Sequence, residues 1–485
     1  MFGGIVAKNF AYLLASQVVA GLAGLASMSY LARTLGPETF GILGFGVALI
    51  AYFGHLVVLG SDFYGSREIA RQPETAGPLT SRIIGLRLVT SVTAVLAFLF
   101  VVWVIDQPQT VKIVMVIQGV GLIVTVIALD FVFQGLQRMG VIATRQVAAS
   151  FLVLIAAVAL IEGRDDVYVA AAIPVAATGL SAIWLLFRVR KIVGPIGFRV
   201  RLGESVTMLR AILPLAVSGT MSAIYYNTDI VMLGFLSDHQ AVGLYVGAYR
   251  LFVVSLTIGS LIGAVYAPAL AASWRDDSRR KSDFREFSSA MFFVGMPIAA
   301  AGIAFPREAI ALVFGAEFEP VHGAFVILMA AVAFAHVATA GGICLIAWND
   351  QTVHMVVLSL GAAANIIANF VLIPSLGIVG AASATLACQG VVAIVILVRI
   401  HRRHATVEPA RLVRPLLCAA AAFAIARVLF EVFVALRPDW SSPVGFLICA
   451  ALGGVIYIGL ANRFGAVDLD RLRKTILGRV AESGS

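Results

Sequence analysis

Long apolar runs alternate with short polar segments along the whole chain. The first run, residues 9–32, contains no charged side chain, and a second run begins at residue 40. About two dozen helical residues rising roughly 1.5 Å each are enough to cross a hydrocarbon core of about 30 Å. Between the two runs, Gly36, Pro37 and Gly41 favour a tight turn, because proline interrupts helical hydrogen bonding and glycine permits unusual backbone angles. The pattern predicts a membrane hairpin.

The same pattern recurs to the end of the chain and provides about fourteen runs of spanning length. They lie at residues 9–32, 40–63, 81–104, 111–134, 141–161, 167–187, 209–235, 242–267, 287–305, 322–347, 353–374, 377–399, 414–436 and 443–462. The predicted fold class is therefore an all-α polytopic membrane protein with about 14 transmembrane helices.

Composition agrees with this pattern. Hydrophobic residues make up 60% of the chain and charged residues 13%, against about 45 to 50% and about 25% in soluble globular domains. The four cysteines lie in apolar runs and have no CxxC spacing. We therefore expect neither a disulfide framework nor a metal site, and no cofactor.

The net charge of +9 follows membrane topology. If the N-terminus is cytoplasmic, the segments on that side hold 27 of the 35 Lys and Arg residues, the opposite loops hold five, and three lie inside predicted spans. Cytoplasmic loops of membrane proteins carry an excess of Lys and Arg. The bias predicts an even number of spans with both termini in the cytoplasm, and it argues against nucleic acid as a partner.

A basic linker divides the first twelve predicted spans into two groups of six. This linker, residues 188–210, holds six Lys or Arg residues, and a shift of about 200 residues aligns the layout of the turns on its two sides, as in parallel repeats. A short interfacial helix is predicted at 306–318. The predicted domains are an N-terminal lobe (1–200), a C-terminal lobe (201–402), two additional spans (403–462) and a cytoplasmic amphipathic tail (463–485).

Several short motifs follow one another in order between residues 9 and 395. They are LARTLGPETFG at 31–41, Gly60 with REIAR at 67–71, FQG at 133–135 with Met139, Asp229 with VGLY at 242–245 and Ala248, LVFG at 312–315, and Asn369 with IP at 373–374, Gly377 and GAA at 380–382. This set resembles the signature of the polysaccharide transporter family. Its members are O-antigen flippase-like proteins of the multidrug, oligosaccharidyl-lipid and polysaccharide exporter superfamily.

The resemblance implies two six-helix lobes related by pseudo-two-fold symmetry around a central cavity, plus two C-terminal helices. It implies a flippase that moves an undecaprenyl-diphosphate-linked oligosaccharide to the outer leaflet of the bacterial cytoplasmic (inner) membrane by alternating access. The product would serve surface polysaccharide such as the O-antigen of lipopolysaccharide. The implied partners are this lipid-linked oligosaccharide, membrane lipids, and polymerases or glycosyltransferases of the same pathway. In related lipid II flippases two added helices form a groove for the lipid tail, which is an expectation for 403–462.

Charged side chains inside the predicted spans are the first candidates for function, because an ionisable group in hydrocarbon costs a few kcal/mol and usually faces protein or a wet cavity. Asp229 in span seven and Arg250 in span eight lie at similar depth, as do Arg87 in span three and Asp130 in span four. Each couple is either a structural ion pair or part of a substrate-binding cavity. In the second case the guanidinium group would hold the diphosphate of the lipid.

Other charged residues have more local interpretations. Arg33 belongs to the structural motif of the first turn, where it can snorkel to lipid phosphate or bond the last carbonyls of its helix. Arg427 and Glu431 lie four positions apart on one helix face and are predicted to pair. The acids that could hold a coupling cation are Asp62, Asp130 and Asp229.

No catalytic signature of the HExxH, GxSxG or P-loop type is present, and the outer loops are too short for a soluble catalytic domain. The sequence therefore predicts a transporter and not an enzyme. A drug/cation antiporter of the same superfamily is the alternative. It predicts a cavity dominated by acids and aromatics, whereas the span charges include as many arginines as acids. A membrane glycan polymerase or acyltransferase would need a larger outer loop or a catalytic His/Asp pair.

Overall fold

The computed structural model describes residues 2–197, 202–406, 408–437 and 443–466, and all regular elements in these ranges are helices. They are α1 (Phe2–Val58), α2 (Ser61–Arg71), α3 (Ala76–Val104), α4 (Gln109–Val124), α5 (Asp130–Gly135), α6 (Met139–Leu160), α7 (Val167–Val193), α8 (Leu202–Leu236), α9 (His239–Ala272), α10 (Asp277–Ala304), α11 (Pro306–Phe314), α12 (His322–Ala347), α13 (Gln351–Arg403), α14 (Pro409–Leu436) and α15 (Pro443–Arg463). The predicted amphipathic tail lies outside the described residues from residue 467 onward.

The two longest helices each contain a break at a glycine. Gly36 in α1 has φ 73° and ψ 170°, and Gly377 in α13 has φ 55° and ψ −131°. Both φ values lie in the half of the backbone map that residues with a Cβ rarely adopt. The predicted first turn is thus a kink at Gly36, followed directly by Pro37. With 57 and 53 residues, α1 and α13 are each long enough for two crossings at roughly 20 residues per crossing.

Eleven helical segments of the described chain are long and apolar enough to cross a membrane. Nine of them correspond to one predicted run each, and α12 coincides with the run predicted at 322–347. Two longer segments, Tyr12–Arg71 and Gln351–Arg403, cover two predicted runs each, and the run predicted at 209–235 lies in α8. The all-α polytopic class is therefore confirmed. The number of spans and the pseudo-two-fold symmetry stay predictions. The helix predicted at 306–318 is α11, which ends at Phe314 and continues into a 3-10 segment, Ala316–Val321.

Two spans end earlier than the apolar pattern indicates. After α1, Leu59 and Gly60 have φ values of 48° and 75° and break the chain before α2. After α4, a single 3-10 turn precedes the short helix α5. Asp62 and Asp130 therefore lie in the first turns of α2 and α5, where a negative charge is stabilised by the helix dipole.

Packing divides the described chain into two compact units, and the division falls between Gly234 and Phe235. The helix α8 therefore belongs to the first unit. Three contacts explain this placement. The Tyr52 hydroxyl lies 3.4 Å from the Thr228 hydroxyl, the side-chain amide of Gln107 donates to the Gly234 carbonyl at 3.1 Å, and Gly234 lies directly against the ring of Phe45. The predicted domain bounds stay a prediction.

In the second unit, α14 and α15 are part of the main core rather than an appendage. Buried residues of α14 and α15, such as Phe423 and Cys449, share one hydrophobic cluster with residues of α10, α12 and α13. The Tyr457 hydroxyl of α15 donates to the Phe293 carbonyl of α10 at 3.0 Å. The segment predicted as two additional spans thus completes the second unit.

Candidate functional site

The first unit contains a fully buried arginine, Arg87 of α3. Its guanidinium donates to the Ser61 hydroxyl at 2.8 Å, to the Asp62 carboxylate at 2.6 Å and to the Ala128 carbonyl at 2.9 Å. The Phe131 ring lies 5.3 Å from the guanidinium carbon. The Ala128 carbonyl sits at the break between α4 and α5, where backbone groups lack helical partners. Arg87 therefore links helix α3 to two breaks in the chain, one after α1 and one after α4.

The predicted pairing of Arg87 with Asp130 is wrong. Asp130 instead accepts a hydrogen bond from Arg145 Nε at 2.8 Å, and Arg145 lies about two turns into α6. The side chain of Asp62 is 47% exposed while Arg87 is 0% exposed. The apolar surroundings of Asp62 in the sequence suggested a position near the inner end of the second span. In the structure, Asp62 lies in the first turn of α2. The roles of Arg87, Asp62 and Asp130 toward a head group or a cation stay predictions.

The two residues of the second predicted couple, Asp229 and Arg250, belong to different units. Asp229 is buried in α8 of the first unit. Arg250 is an exposed residue of α9 in the second unit. Their pairing and their part in substrate binding stay predictions.

In the first structural motif, Gly36 and Pro37 are buried at the kink of α1 and Arg33 is exposed one turn earlier. Gly41 is buried in the helical part that follows.

A long apolar groove lies in the second unit. Its position was not predicted from the sequence. It has a volume of about 650 Å³. Its lining comes from residues 296–304 of α10, 330–337 of α12, 393–397 of α13 and 412–427 of α14. We call it the α14 groove. Large exposed side chains at its edge, including Ile303, Phe334 and Ile394, indicate that it opens sideways from the unit.

Small side chains make the groove concave. Ala299, Ala300, Ala333, Ala420 and Ala424 line it, each on a helix whose neighbouring turns carry larger residues. Because an alanine side chain is short, it leaves a gap between its own helix and the facing helix that a larger side chain at the same position would fill. In the sequence, the only sign of this groove was the alanine-rich stretch 419–426. That stretch does not show which face of α14 is turned toward α10 and α13, so the groove could not be located from it.

Charged clusters lie at both ends of the α14 groove. At the end where α13 meets α14, which we call the linker end, Glu408 accepts hydrogen bonds from Arg285 at 2.6 Å and from Arg411 at 2.7 Å. These two arginines hold the pKa of the Glu408 carboxyl below its ordinary value, Arg411 by the larger amount. The carboxylate therefore stays ionised through the neutral range. The triad carries a net charge of about +1.

At the other end, which we call the α11 end, Arg427 lies between two carboxylates. It donates to Glu431 at 2.9 Å and to Glu308 of α11 at 2.7 Å. The pairing of Arg427 with Glu431 is confirmed, and Glu308 is a partner that the sequence did not reveal. The rings of Phe305 and Phe430 lie within 5.8 Å and 5.6 Å of the guanidinium carbon. With both acids ionised, this end carries a net charge of about −1.

These helices and this groove define a multi-pass α-helical membrane protein with an apolar recess in its second unit. Residues 6–274 match the family described as "Polysaccharide biosynthesis protein". Because this match covers more than half of the chain, the protein belongs to that family. The resemblance found in the sequence motifs is confirmed.

Individual relatives agree with this assignment. A protein of Escherichia coli (strain K12) with the name "Putative O-antigen transporter" is 24% identical over 243 residues, which span 49% of this chain and 58% of that relative. A solved structure of "Lipid II flippase MurJ, inward closed conformation" has a TM-score of 0.74 at 13% identity and covers 94% of this chain and 98% of that one. An inward-facing multidrug resistance MATE family transporter of the MOP superfamily has a TM-score of 0.62 at 15% identity, covering 79% and 94%. These two structures share the fold.

Proposed function

We propose that this protein is a flippase for an undecaprenyl-diphosphate-linked oligosaccharide. It moves the lipid from the cytoplasmic to the outer leaflet of the bacterial cytoplasmic membrane for surface polysaccharide biosynthesis. The movement is alternating access, in which the two units change their relation while the cargo stays chemically unaltered. Both termini are cytoplasmic, so the linker end of the α14 groove faces the cytoplasm.

The observation that carries the proposal is the α14 groove. Along α14, Leu412 and Arg427 both line it and lie fifteen positions apart, which is roughly 22 Å of helix. The groove therefore covers most of a hydrocarbon core of about 30 Å. A groove of this length and apolar character suits the tail of a lipid cargo. Family membership and the relative named as an O-antigen transporter support the same substrate class.

Selection of the tail in such a groove depends on shape. A hydrocarbon chain is already in an apolar medium when it lies in the bilayer, so entering the groove yields little hydrophobic free energy. What the groove adds is close packing, since each pair of carbon atoms at contact distance contributes about 0.1 to 0.2 kcal/mol. A MATE transporter shares the fold, but the drug/cation antiporter alternative gives the groove no role.

The test fills the groove with one bulky side chain. Ala424→Trp places an indole in the groove from an exposed position of α14, and Ala421→Trp is the matched control, because Ala421 is exposed on the same helix and does not line the groove. Both are expressed in a strain that lacks its own polysaccharide flippase, and surface polysaccharide is quantified at equal protein level. We expect Ala424→Trp to lower export about tenfold, the effect of roughly 1.4 kcal/mol of lost packing. The control should export as the wild type does.

Two results would contradict the proposal. Equal export by both tryptophan variants would remove the groove from the transport cycle. Failure of the wild type to restore polysaccharide, together with increased drug resistance of the host, would favour the antiporter instead.

A further inference from the structure

The two charged ends of the α14 groove differ in sign, and this difference assigns an orientation to its occupant. The linker end has two arginines for one carboxylate, whereas the α11 end has one arginine for two carboxylates. An anionic head group is attracted to the first and repelled by the second. A lipid that lies in the groove therefore places its charged end beside Arg285 and Arg411.

The groove and the arginine cluster adjoin each other. Leu397 and Leu412 line the groove, and both also line a small recess that contains Arg285, Glu408 and Arg411. These two leucines form the boundary between the groove and the recess. A hydrocarbon chain in the groove thus brings whatever it is attached to against these guanidinium groups.

The length of the groove suits an extended hydrocarbon chain. The groove follows roughly 22 Å of α14 and is lined along this length almost wholly by apolar side chains. Under the proposed function, its occupant is the single chain of a polyprenyl lipid.

The arginine cluster is built for exchange of one anion for another. The side chains of Arg285, Glu408 and Arg411 are 52%, 39% and 37% exposed, and exposed ion pairs of this kind contribute little to stability. Guanidinium groups bind phosphate oxygens through two parallel hydrogen bonds. A diphosphate can take the place of the Glu408 carboxylate at both arginines without leaving a buried charge unpaired.

We propose that Arg285 and Arg411 form a loading site that holds the diphosphate of a polyprenyl lipid while its single chain occupies the α14 groove. Glu408 occupies this site in the empty protein and is displaced when the lipid arrives. The identity of the lipid rests on the proposed function, whereas the site itself rests on the charges and the dimensions of the groove.

The experiment measures binding of undecaprenyl diphosphate without sugar to the purified full-length protein in detergent. We expect Arg285→Ala with Arg411→Ala to weaken binding at least about tenfold, as for loss of two charge-assisted contacts. Glu408→Gln should strengthen binding severalfold, because it removes the competing carboxylate. A purely structural role of the cluster predicts the opposite sign for Glu408→Gln. Arg414→Ala is the matched control, since Arg414 is exposed one turn along α14 and lies outside the recess.

Competition identifies the ligand class. Inorganic pyrophosphate and phosphatidylglycerol are each added to the wild type with bound undecaprenyl diphosphate. Weak competition by both is expected. Equal competition by phosphatidylglycerol would overturn the single-chain assignment in favour of a general phospholipid site. Equal competition by pyrophosphate would show that the groove takes no part.

Failure of this inference can be told apart from failure of the proposed function. If the double arginine variant binds the lipid as the wild type does, the loading site is wrong, and export by the wild type still supports the flippase. If the wild type binds no polyprenyl diphosphate, the loading site is also wrong. Only loss of polysaccharide rescue by the wild type counts against the flippase itself.

Discussion

Arg87 in the first unit and Arg285 in the second both pair with carboxylates, but they differ in burial. Arg87 is 0% exposed and donates to three groups from two other segments of the chain, whereas the Arg285 side chain is 52% exposed and pairs with Glu408. Breaking a buried pair leaves a charge without a partner and costs about 3 to 5 kcal/mol. Breaking an exposed pair costs at most about 1 kcal/mol. The buried arginine is therefore suited to hold helices together, and the exposed one to exchange partners.

An arginine in apolar surroundings is therefore not by that fact a contact for substrate. The apolar surroundings of Arg87 in the sequence were the reason to regard it as a candidate contact for the head group. In the structure the same surroundings enclose it with Ser61 and Asp62, which begin α2. Arg285 and Arg411 lie at the edges of spans, where charge is common, and the sequence did not single them out. A charge becomes a candidate binding group when its partners can be replaced.

The largest expected effect is on Arg87. Arg87→Ala removes three hydrogen bonds, leaves the Ala128 carbonyl without its arginine donor and leaves a cavity beside Phe131, so we expect a loss of about 2 to 4 kcal/mol and a strong fall in both yield and the melting temperature of the purified protein. Asp62→Asn should also be strongly destabilising, because it leaves the fully buried guanidinium of Arg87 without its counter-charge. An Arg87→Ala protein with an unchanged melting temperature but no export would restore Arg87 as a substrate contact and break the comparison.

An intermediate effect is expected at the α11 end of the groove. Arg427→Ala leaves Glu308 and Glu431 without their common partner and should lower stability by about 1 to 3 kcal/mol, measured as the melting temperature of the purified protein. Arg437→Ala, an exposed arginine just after the end of α14, is the control and should change little. If Arg427→Ala is as stable as the control, the α11 end is as exchangeable as the linker end.

A smaller, pH-dependent effect is expected for Asp350, which joins the α12–α13 connection to the end of α13. Arg399 donates to it at 2.7 and 2.8 Å and His404 lies 2.9 Å away. Arg399 is the main cause of its low pKa, about 2 against an ordinary value of 3.8. Because the folded pKa is the lower one, this stabilisation is complete above pH about 4 and disappears as the pH falls toward 2.

Asp350→Asn tests this relation directly. The variant should melt at a lower temperature than the wild type at pH 7, by an amount equivalent to about 1 kcal/mol after solvent screening. The difference should shrink as the pH is lowered from about 4 toward 2, since the wild type then loses the same interaction. A difference that stays constant over this range would show that the carboxylate charge is not what stabilises the connection.

The smallest expected effect is on Arg285. Arg285→Ala should leave the melting temperature close to that of the wild type, because its partner Glu408 remains hydrated and paired with Arg411. The same variant should nevertheless reduce lipid binding. A large loss of stability in Arg285→Ala would make the linker end structural and remove the contrast with Arg87.

The sequence by itself determined the apolar helices, the distribution of basic residues and the family. Spanning length requires only a run of apolar residues, and family motifs are local. The breaks at Gly36 and Gly377 carried visible signals, since Pro37 follows one and Pro374 precedes the other. The pairing of Arg427 with Glu431 was also accessible, because four positions make one helical turn.

The tertiary structure decided which groups from distant segments meet. Similar depth in two spans suggested that Arg87 pairs with Asp130, but depth does not specify the direction in which a helix face points. The breaks before Asp62 and Asp130 turned the first acid toward Arg87 and the second toward Arg145. The α14 groove required four helices to present small side chains to one another. No single segment contains that information, because a concave surface exists only after packing.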